Sequence, residues 1–298
     1  MEHLIQTLTE NRIAFLREEP LSKHTSFRIG GPAELMVFPA TAQDLATVLR
    51  CAAAEGLRPI VLGAGTNVLA PDAGKRGLVL CTKDCLCGIE REGETGLRVM
   101  AGVLLARAAT FARDAALTGM EFAHGIPGTM GGGLYMNAGA YGGELRQLAE
   151  ETTVMAMDGT VRTLSGEAQG FGYRASAFQH MDCVIVSCVL RLSPGDPIEI
   201  QEKMQTLSAR RRASQPLELP SAGSTFKRPV GGYAAALIEQ AGLKGQGVGG
   251  ARVSEKHAGF VVNCGGATEA DVLKTVELIQ KRVYETSGIV LEPEIKRL

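Results

Sequence analysis

The stretch GIPGTMGGGLYMNAGAYGG, residues 125–143, is glycine at eight of its nineteen positions. Glycine lets the backbone come close to a ligand, and its unscreened N–H groups suit phosphate oxygens. A shorter stretch of the same character, LGAGTNVL at 62–69, lies upstream behind a short apolar run, Arg58 to Leu62. Neither is a standard nucleotide fingerprint. Val68 stands where G-x-G-x-x-G needs its third glycine and no clear helix follows it, which disfavours a Rossmann site. No Gly-Lys-Ser/Thr follows the longer stretch, so a P-loop kinase or ATPase lacks its phosphate lysine. Taken alone, the loops serve as well for structure, one as a tight turn and the other as a close-packed crossing, as for binding a ligand. Two of them in one lobe point to a large dinucleotide.

Working outward, Thr41 to Gly56 reads as an amphipathic helix, with Thr41 as N-cap, Asp44 at the third helical position and Leu45, Val48, Leu49 and Ala52 on one face. Strands are expected over 58–62 and 77–82, which makes a β-α-β start, and near 97–100, followed by a helix over 104–117. Thr152–Met157 and Thr160–Leu164 flank Asp158-Gly159, a dipeptide favoured in two-residue hairpin turns. Cys183 to Leu192 reads as a long buried strand. At Ser193-Pro194-Gly195-Asp196-Pro197 the character changes, with Asp196 and Glu199 placed to cap a helix that starts at Pro197, and a domain boundary is expected there. The remainder predicts helices to about Arg212, over 233–241 and over 268–286, the last capped by Thr268 with Asp271. Strands are expected over 260–263 and 290–295.

The 298 residues exceed what a single core usually organises, so two or three lobes are expected. With 31 basic and 32 acidic residues the net charge is −1, which argues against a general footprint for nucleic acid or anionic membrane. Trp is absent and aromatics are 5%, which leaves little for stacking on single-stranded nucleic acid. There is neither a membrane-spanning apolar run nor a signal-peptide pattern, so a cytoplasmic protein is expected. Cys51, Cys183, Cys188 and Cys264 fall in segments that read as buried, and Cys81, Cys85 and Cys87 lack a fourth ligand, so reduced thiols are expected rather than disulfides or a metal cluster. The histidines show no H-x3-H or H-E-x-x-H spacing, and no catalytic metal is expected.

The runs HTSFRIGGPAE, LGAGTNVL, EFAHGIPGTMGGGLYMNAGAYGGE, FGYRASAF, PSAGSTFKRP, AALIEQAGLKG, GGARVSEKHAGFVVN and LEPEIKRL occur in this order from about Thr25 to the end. Together they resemble the UDP-N-acetylenolpyruvoylglucosamine reductase family. The resemblance implies an α+β chain: a p-cresol methylhydroxylase-type FAD-binding domain of two α/β subdomains, 1–75 and 76–195, and a smaller α+β substrate-binding domain, 196–298. It implies FAD as cofactor, NADPH as co-substrate and a UDP-sugar enolpyruvyl ether as substrate, in the making of a cell-wall precursor. Gly63, Ala64, Gly65, Thr66 and Asn67 would wrap the FAD pyrophosphate, and Gly128, Thr129, Gly131, Gly132, Asn137, Ala138 and Gly139 would hold phosphates, ribityl and ring. On this reading valine at Gly65 or Gly131 should give soluble, colourless protein. The segment from Gln215 through Phe226 is short, as in the type II subclass, and the chain is expected to act as a monomer.

Conjugate reduction of such a substrate places negative charge on the α-carbon and carboxylate, and so needs a fixed cation, a hydrogen-bond donor and an acid. The resemblance assigns Arg174, Glu294 and Ser224 to these roles. Taken without it, Arg174 is a surface arginine, Glu294 an outward-facing strand residue on the same face as Glu292 and Lys296, and Ser224 a turn-capping serine. Tyr173, Lys227, Arg228, Tyr233 and His257 are further substrate candidates. A non-catalytic flavin module and an oxidase of the same fold are the alternatives.

Overall fold

The computed structural model describes all 298 residues, and their contacts group into two units. Met1–Arg17, Leu35–Ala64 and Gly77–Arg210 make the first, and Glu18–Glu34, Gly65–Arg76 and Arg211–Leu298 the second. This grouping cuts across the consecutive segments 1–75, 76–195 and 196–298. The reasons are apolar: Phe27, Ile29 and Leu69 share a buried cluster with Phe226 and Ile279, while Ile200 and Met204, beyond the expected boundary at Gly195, are buried with Leu117 and Leu192.

In the first unit the helix Ala42–Ala54 starts as its sequence dictates. Asp44 N–H donates to Thr41 Oγ1 and Thr41 N–H to Asp44 Oδ2, both at 3.0 Å, so a reciprocal capping box satisfies two donors that the helix leaves open. Leu45, Val48 and Leu49 pack with Leu35, Val37, Leu78 and Leu80, each fully buried leucine being worth about 1.5–3 kcal/mol over exposure. The four-stranded sheet behind this stripe has the order Ala14–Pro20, Pro32–Phe38, Lys75–Cys81, Ile60–Leu62. Its last two strands are parallel, Leu62 beside Cys81, and the chain leaves the carboxyl end of Leu62 directly into Gly63. Ligands of open α/β sheets lie at such ends.

A five-stranded antiparallel sheet completes this unit, in the order Val161–Ser165, Ala149–Ala156, Cys183–Arg191, Gly96–Met100, Ile89–Glu92. The strand Cys183–Arg191 serves two cores. Val184 and Val186 enter one cluster and Ile185 the other, until Val186 is passed over in the pairing between Thr153↔Ser187 and Val154↔Ile185. That extra residue switches the faces, and Cys188 and Leu190 then continue where Ile185 pointed. The hairpin at Asp158-Gly159 is one residue wider than a two-residue turn. Ala156 N–H meets Thr160 O at 2.8 Å, Gly159 has φ +85°, and Thr160 N–H donates to Asp158 Oδ1, so the aspartate closes the turn with its side chain.

The second unit packs the helix Glu269–Ser287 against a sheet of Gly247–Val248, Ala251–Val253 and Val261–Asn263. Thr268 and Asp271 form its capping box, and Gly288 at φ +69° ends it. The strand expected over 290–295 does not form. Pro293 lacks an N–H and makes one bridge, to Phe226, Val290 is 73% exposed, and regular pairing begins only at Lys296–Arg297, parallel to Val68–Leu69. Cys264, expected buried, is exposed just past Asn263. No helix is long and apolar enough to cross a membrane.

Candidate functional site

In the first unit the two glycine loops meet. A Cβ at Gly63 would lie 2.5 Å from Thr129 Oγ1, so this approach tolerates only glycine. No backbone carbonyl accepts the N–H of Gly63 or Ala64, which follow the parallel strand; Gly65, buried at φ +61° and grouped with the second unit, is likewise without one. Consecutive N–H groups of this kind are able to take an anionic partner. The first turn of the helix Met130–Tyr135 is different. Met130 N–H goes to Val103 O at 2.7 Å, Gly131 N–H to Ala101 O at 2.9 Å and Gly132 N–H to Thr129 Oγ1 at 3.3 Å. Gly131 and Gly133 are therefore close-packing glycines: a Cβ would meet Ala101 Cβ at 3.0 Å in the first case and Leu145 Cδ1 at 2.8 Å in the second. Gly132 is exposed, with only Thr129 Oγ1, at 3.5 Å, near its missing Cβ. Gly128, at φ +139°, offers its carbonyl to Leu105 N–H.

Arg174 lies in the turn Gly172-Tyr173-Arg174-Ala175, closed by Gly172 N–H to Ala175 O at 3.0 Å and Ala175 N–H to Gly172 O at 3.3 Å. Its φ is +55°, a conformation that costs a non-glycine residue about 1–3 kcal/mol and recurs at functional sites. The guanidinium lies 5.1 Å from the Tyr173 ring centre and donates to Gly139 O at 3.4 Å. Half-buried and held on two sides, it is not the free surface arginine of the sequence alternative. Gly139 and Ala140 pair with Gly143 and Glu144 across a hairpin tipped by Tyr141 at φ +54° and Gly142 at φ +86°. Asn137, fully buried at φ +43°, donates to Glu144 Oε2 and to Gly172 O, both at 2.9 Å, and accepts from Arg146 N–H. Its amide thus serves the two loops, and Ala138 joins the same fold-back through its N–H to Gly133 O.

The second unit gathers Ser224, Glu294 and His257 around Thr225. Thr225 is buried, its N–H donates to Gly259 O at 2.8 Å, and its hydroxyl accepts from Val261 N–H at 2.9 Å. Its carbonyl accepts from Glu294 N–H at 2.8 Å, while Asn67 Nδ2 donates to Glu294 O at 3.3 Å. Ser224 is exposed next to this framework. Because no regular strand forms at Glu294, alternation does not place it with Glu292: Glu294 is half-buried and Glu292 exposed. His257 Nδ1 accepts from Gly259 N–H at 3.1 Å, its ring stands edge-on to Phe260, and burial pushes its pKa below the ordinary value, which leaves a neutral ring with Nε2 as donor. Lys227 is paired with Glu292, and Arg228 stacks 4.5 Å from the Tyr233 ring centre.

Three contributors escape sequence reasoning. The Ser26 hydroxyl donates to Ser221 O at 2.6 Å and its backbone N–H to Gly65 O at 3.0 Å, joining segments 195 and 39 residues away. Ser176 and Gln179 both donate to Tyr135 O at 2.8 Å. Ser26 lies in the quoted run HTSFRIGGPAE, but nothing local marks Gln179. Among the thiols, burial pushes Cys81, Cys85 and Cys87 upward, Cys85 to about 11, which makes weak nucleophiles at neutral pH.

An FAD binding domain family model matches residues 33–165, and the model of the UDP-N-acetylenolpyruvoylglucosamine reductase C-terminal domain matches 215–298. Over 295 residues the chain is 42% identical to the UDP-N-acetylenolpyruvoylglucosamine reductase of Geobacillus kaustophilus, which spans 99% of this chain and 96% of the relative. The chain belongs to the UDP-N-acetylenolpyruvoylglucosamine reductase family. Another member, from Caldanaerobacter subterraneus subsp. tengcongensis, is 43% identical over 296 residues, 99% of this chain and 97% of its own. The crystal structure of the UDP-N-acetylenolpyruvylglucosamine reductase of Thermus caldophilus superposes with a TM-score of 0.80 at 33% identity, covering 96% of this chain and 98% of that one. Physcomitrella patens BBE-like 1, 16% identical with a TM-score of 0.50 over 64% of this chain and 44% of its own, shares the fold alone. The reductase C-terminal match falls wholly within the last segment of the second unit, the segment that carries Ser224, His257 and Glu294.

Proposed function

We propose that the chain is an FAD-dependent reductase that uses NADPH to convert the enolpyruvyl ether of UDP-N-acetylglucosamine into UDP-N-acetylmuramate, in the cytoplasm, where peptidoglycan precursors are made. The observation that carries the reading is the clustering of three non-glycine residues in left-handed backbone, Asn137, Tyr141 and Arg174, tied together through Gly139, Glu144 and Gly172. Strain of that kind persists where geometry at a reacting centre requires it. Family membership supplies the chemistry.

The residues fit the cofactor. The N–H groups of Gly63, Ala64 and Gly65 suit a pyrophosphate, with Thr66 and Asn67 completing the loop, and Gly128, Thr129, exposed Gly132, Ala138 and Gly139 form the remaining cradle. FAD held there would supply the hydride chemistry that links NADPH to the enolpyruvyl β-carbon. Arg174 holds the carboxylate and the charge that develops on it, since a guanidinium is permanently charged and matches a carboxylate with two parallel donors. Family resemblance gives Glu294, in the second unit, the part of a hydrogen-bond donor to the enediolate, a part it can take when its carboxyl is protonated. The Ser224 hydroxyl gives its proton to the α-carbon. Tyr173 in the first unit, and Arg228, Tyr233 and the Nε2 donor of His257 in the second, are the candidate substrate contacts, and Lys227 reaches the diphosphate only by leaving Glu292.

The purified protein is expected to be yellow and to release its flavin on denaturation. Rapid oxygen consumption with an alcohol would mark an oxidase of the same fold instead. The glycines sharpen the test. Valine at Gly65 would strike the His24 carbonyl, and at Gly131 it would crowd Ala101, so both changes damage the fold whatever is bound. Gly132→Val meets little protein. Overlap with a bound group costs about 1–3 kcal/mol, so this variant should fold normally and bind flavin roughly 10-fold or more weakly. A folded Gly132→Val protein with undiminished flavin affinity removes Gly132 from the cradle.

A further inference from the structure

We propose that Gln179 is a positioning residue that locks Arg174 in place by fastening its turn to the end of the helix Met130–Tyr135; this rests on the role given to Arg174 above. The turn Gly172–Ala175 has Arg174 at φ +55°, in the second central position of a two-residue turn, where a left-handed residue is called for and glycine is usual. Two side chains outside the turn hold it. Asn137 Nδ2 takes Gly172 O at 2.9 Å, at the turn's first residue. Gln179 Nε2 takes Arg174 O at 3.0 Å, at the strained residue itself, and Tyr135 O at 2.8 Å.

A primary amide nitrogen carries two hydrogens, and here two carbonyls accept them. The orientation of the amide is therefore dictated, since Oε1 in that place would face two carbonyl oxygens. Tyr135 is the last residue of its helix, and its carbonyl is one of those that an α-helix leaves without an internal partner. Gln179 and Ser176 both satisfy it. One amide thus joins the backbone of Arg174 to the helix that begins at the Thr129 cap, beside Gly63. The guanidinium is in turn anchored on Gly139 O. Gln179 is half-buried in the short helical turn Ala177–His180 and contributes nothing to the apolar clusters, so its removal leaves the cores intact. What it sets is where the cation stands.

The experiment compares the two half-reactions by stopped-flow absorbance in the flavin-loaded protein. Gln179→Met keeps length and volume and removes both donors. It should retain flavin and reduce it with NADPH within about twofold of wild type, while reoxidation by the enolpyruvyl UDP-sugar falls by roughly 10- to 100-fold, as expected when the Arg174 carbonyl loses its donor and Tyr135 O is left to Ser176 alone. The substrate dissociation constant should move far less than the rate. Gln179→Glu adds a readout that a merely structural role would not move. Ionised, the carboxylate repels both carbonyls; protonated, it can donate to one. Its reoxidation rate, relative to wild type, should recover as pH falls through the carboxyl titration. Wild-type reoxidation in Gln179→Met, equal loss of both half-reactions, or a Gln179→Glu deficit that ignores pH would overturn the assignment. Arg174→Ala is the reference: if it also reoxidises normally the site reading fails, whereas if it is slow and Gln179→Met is not, only the role of Gln179 falls.

Discussion

Ser224→Ala should leave flavin reduction by NADPH nearly intact and slow flavin reoxidation by the enolpyruvyl substrate by roughly 10²- to 10⁴-fold, the usual worth of a positioned general acid. NADPH oxidation needs no proton at the substrate α-carbon. Ser224 is exposed, and the neighbouring Thr225 rather than Ser224 carries the local framework through Gly259, Val261 and Glu294. Removing one hydroxyl there should not disturb the fold. Ser224→Cys keeps a dissociable proton and should retain more activity than alanine. Stopped-flow traces of each half-reaction, with pre-reduced protein for the second, separate the effects. Equal slowing of both steps would show Ser224 organising a common site, and the proton-donor role would fail.

Arg174→Ala should lower the rate of substrate reduction by about 10²- to 10³-fold, the range seen when one stabiliser of developing negative charge is removed. Binding should suffer less, because the enediolate carries more charge than the ground-state carboxylate where the guanidinium acts. Arg174→Lys should recover only part of the loss, since an ammonium cannot present two parallel donors. The substitution also replaces one residue at φ +55° by another, so a loss of fold is not expected to confuse the result. The measurement is the turnover rate set beside the substrate dissociation constant. Weak binding with near-normal turnover would make Arg174 an anchor and nothing more.

Local rules made much of this molecule readable. Thr41 with Asp44 and Thr268 with Asp271 announce their helices because capping is a matter of three residues, and both boxes form. The parallel strand that delivers the chain into Gly63 was legible from its apolar run and the glycines behind it. What failed needed partners distant in sequence. Val290–Ile295 has strand-like composition, but it pairs only with Thr225–Lys227, through two backbone hydrogen bonds about the single bridge Phe226–Pro293, too short a ladder for a strand. The grouping of Phe27 and Leu69 with Phe226 depends on burial that no periodicity reveals. At the site, glycine count alone could not separate Gly131, which packs on Ala101, from Gly63, whose N–H has no backbone acceptor. Arg174 and Glu294 were visible only through resemblance, because a positive φ and an irregular chain end leave no trace in residue type. Ser26 and Gln179 were invisible, their work being hydrogen bonds to carbonyls far along the chain or on another loop.

The central claim is that reduced flavin on this chain hands its hydride to an enolpyruvyl UDP-sugar. The direct measurement is anaerobic: the protein is reduced with one equivalent of NADPH, mixed with UDP-N-acetylglucosamine enolpyruvate, and followed at the flavin absorbance. Rapid and stoichiometric return of the oxidised flavin spectrum, with UDP-N-acetylmuramate formed in equal amount, is the expected result. A flavin that stays reduced in the presence of that substrate, yet reoxidises once air is admitted, would contradict it.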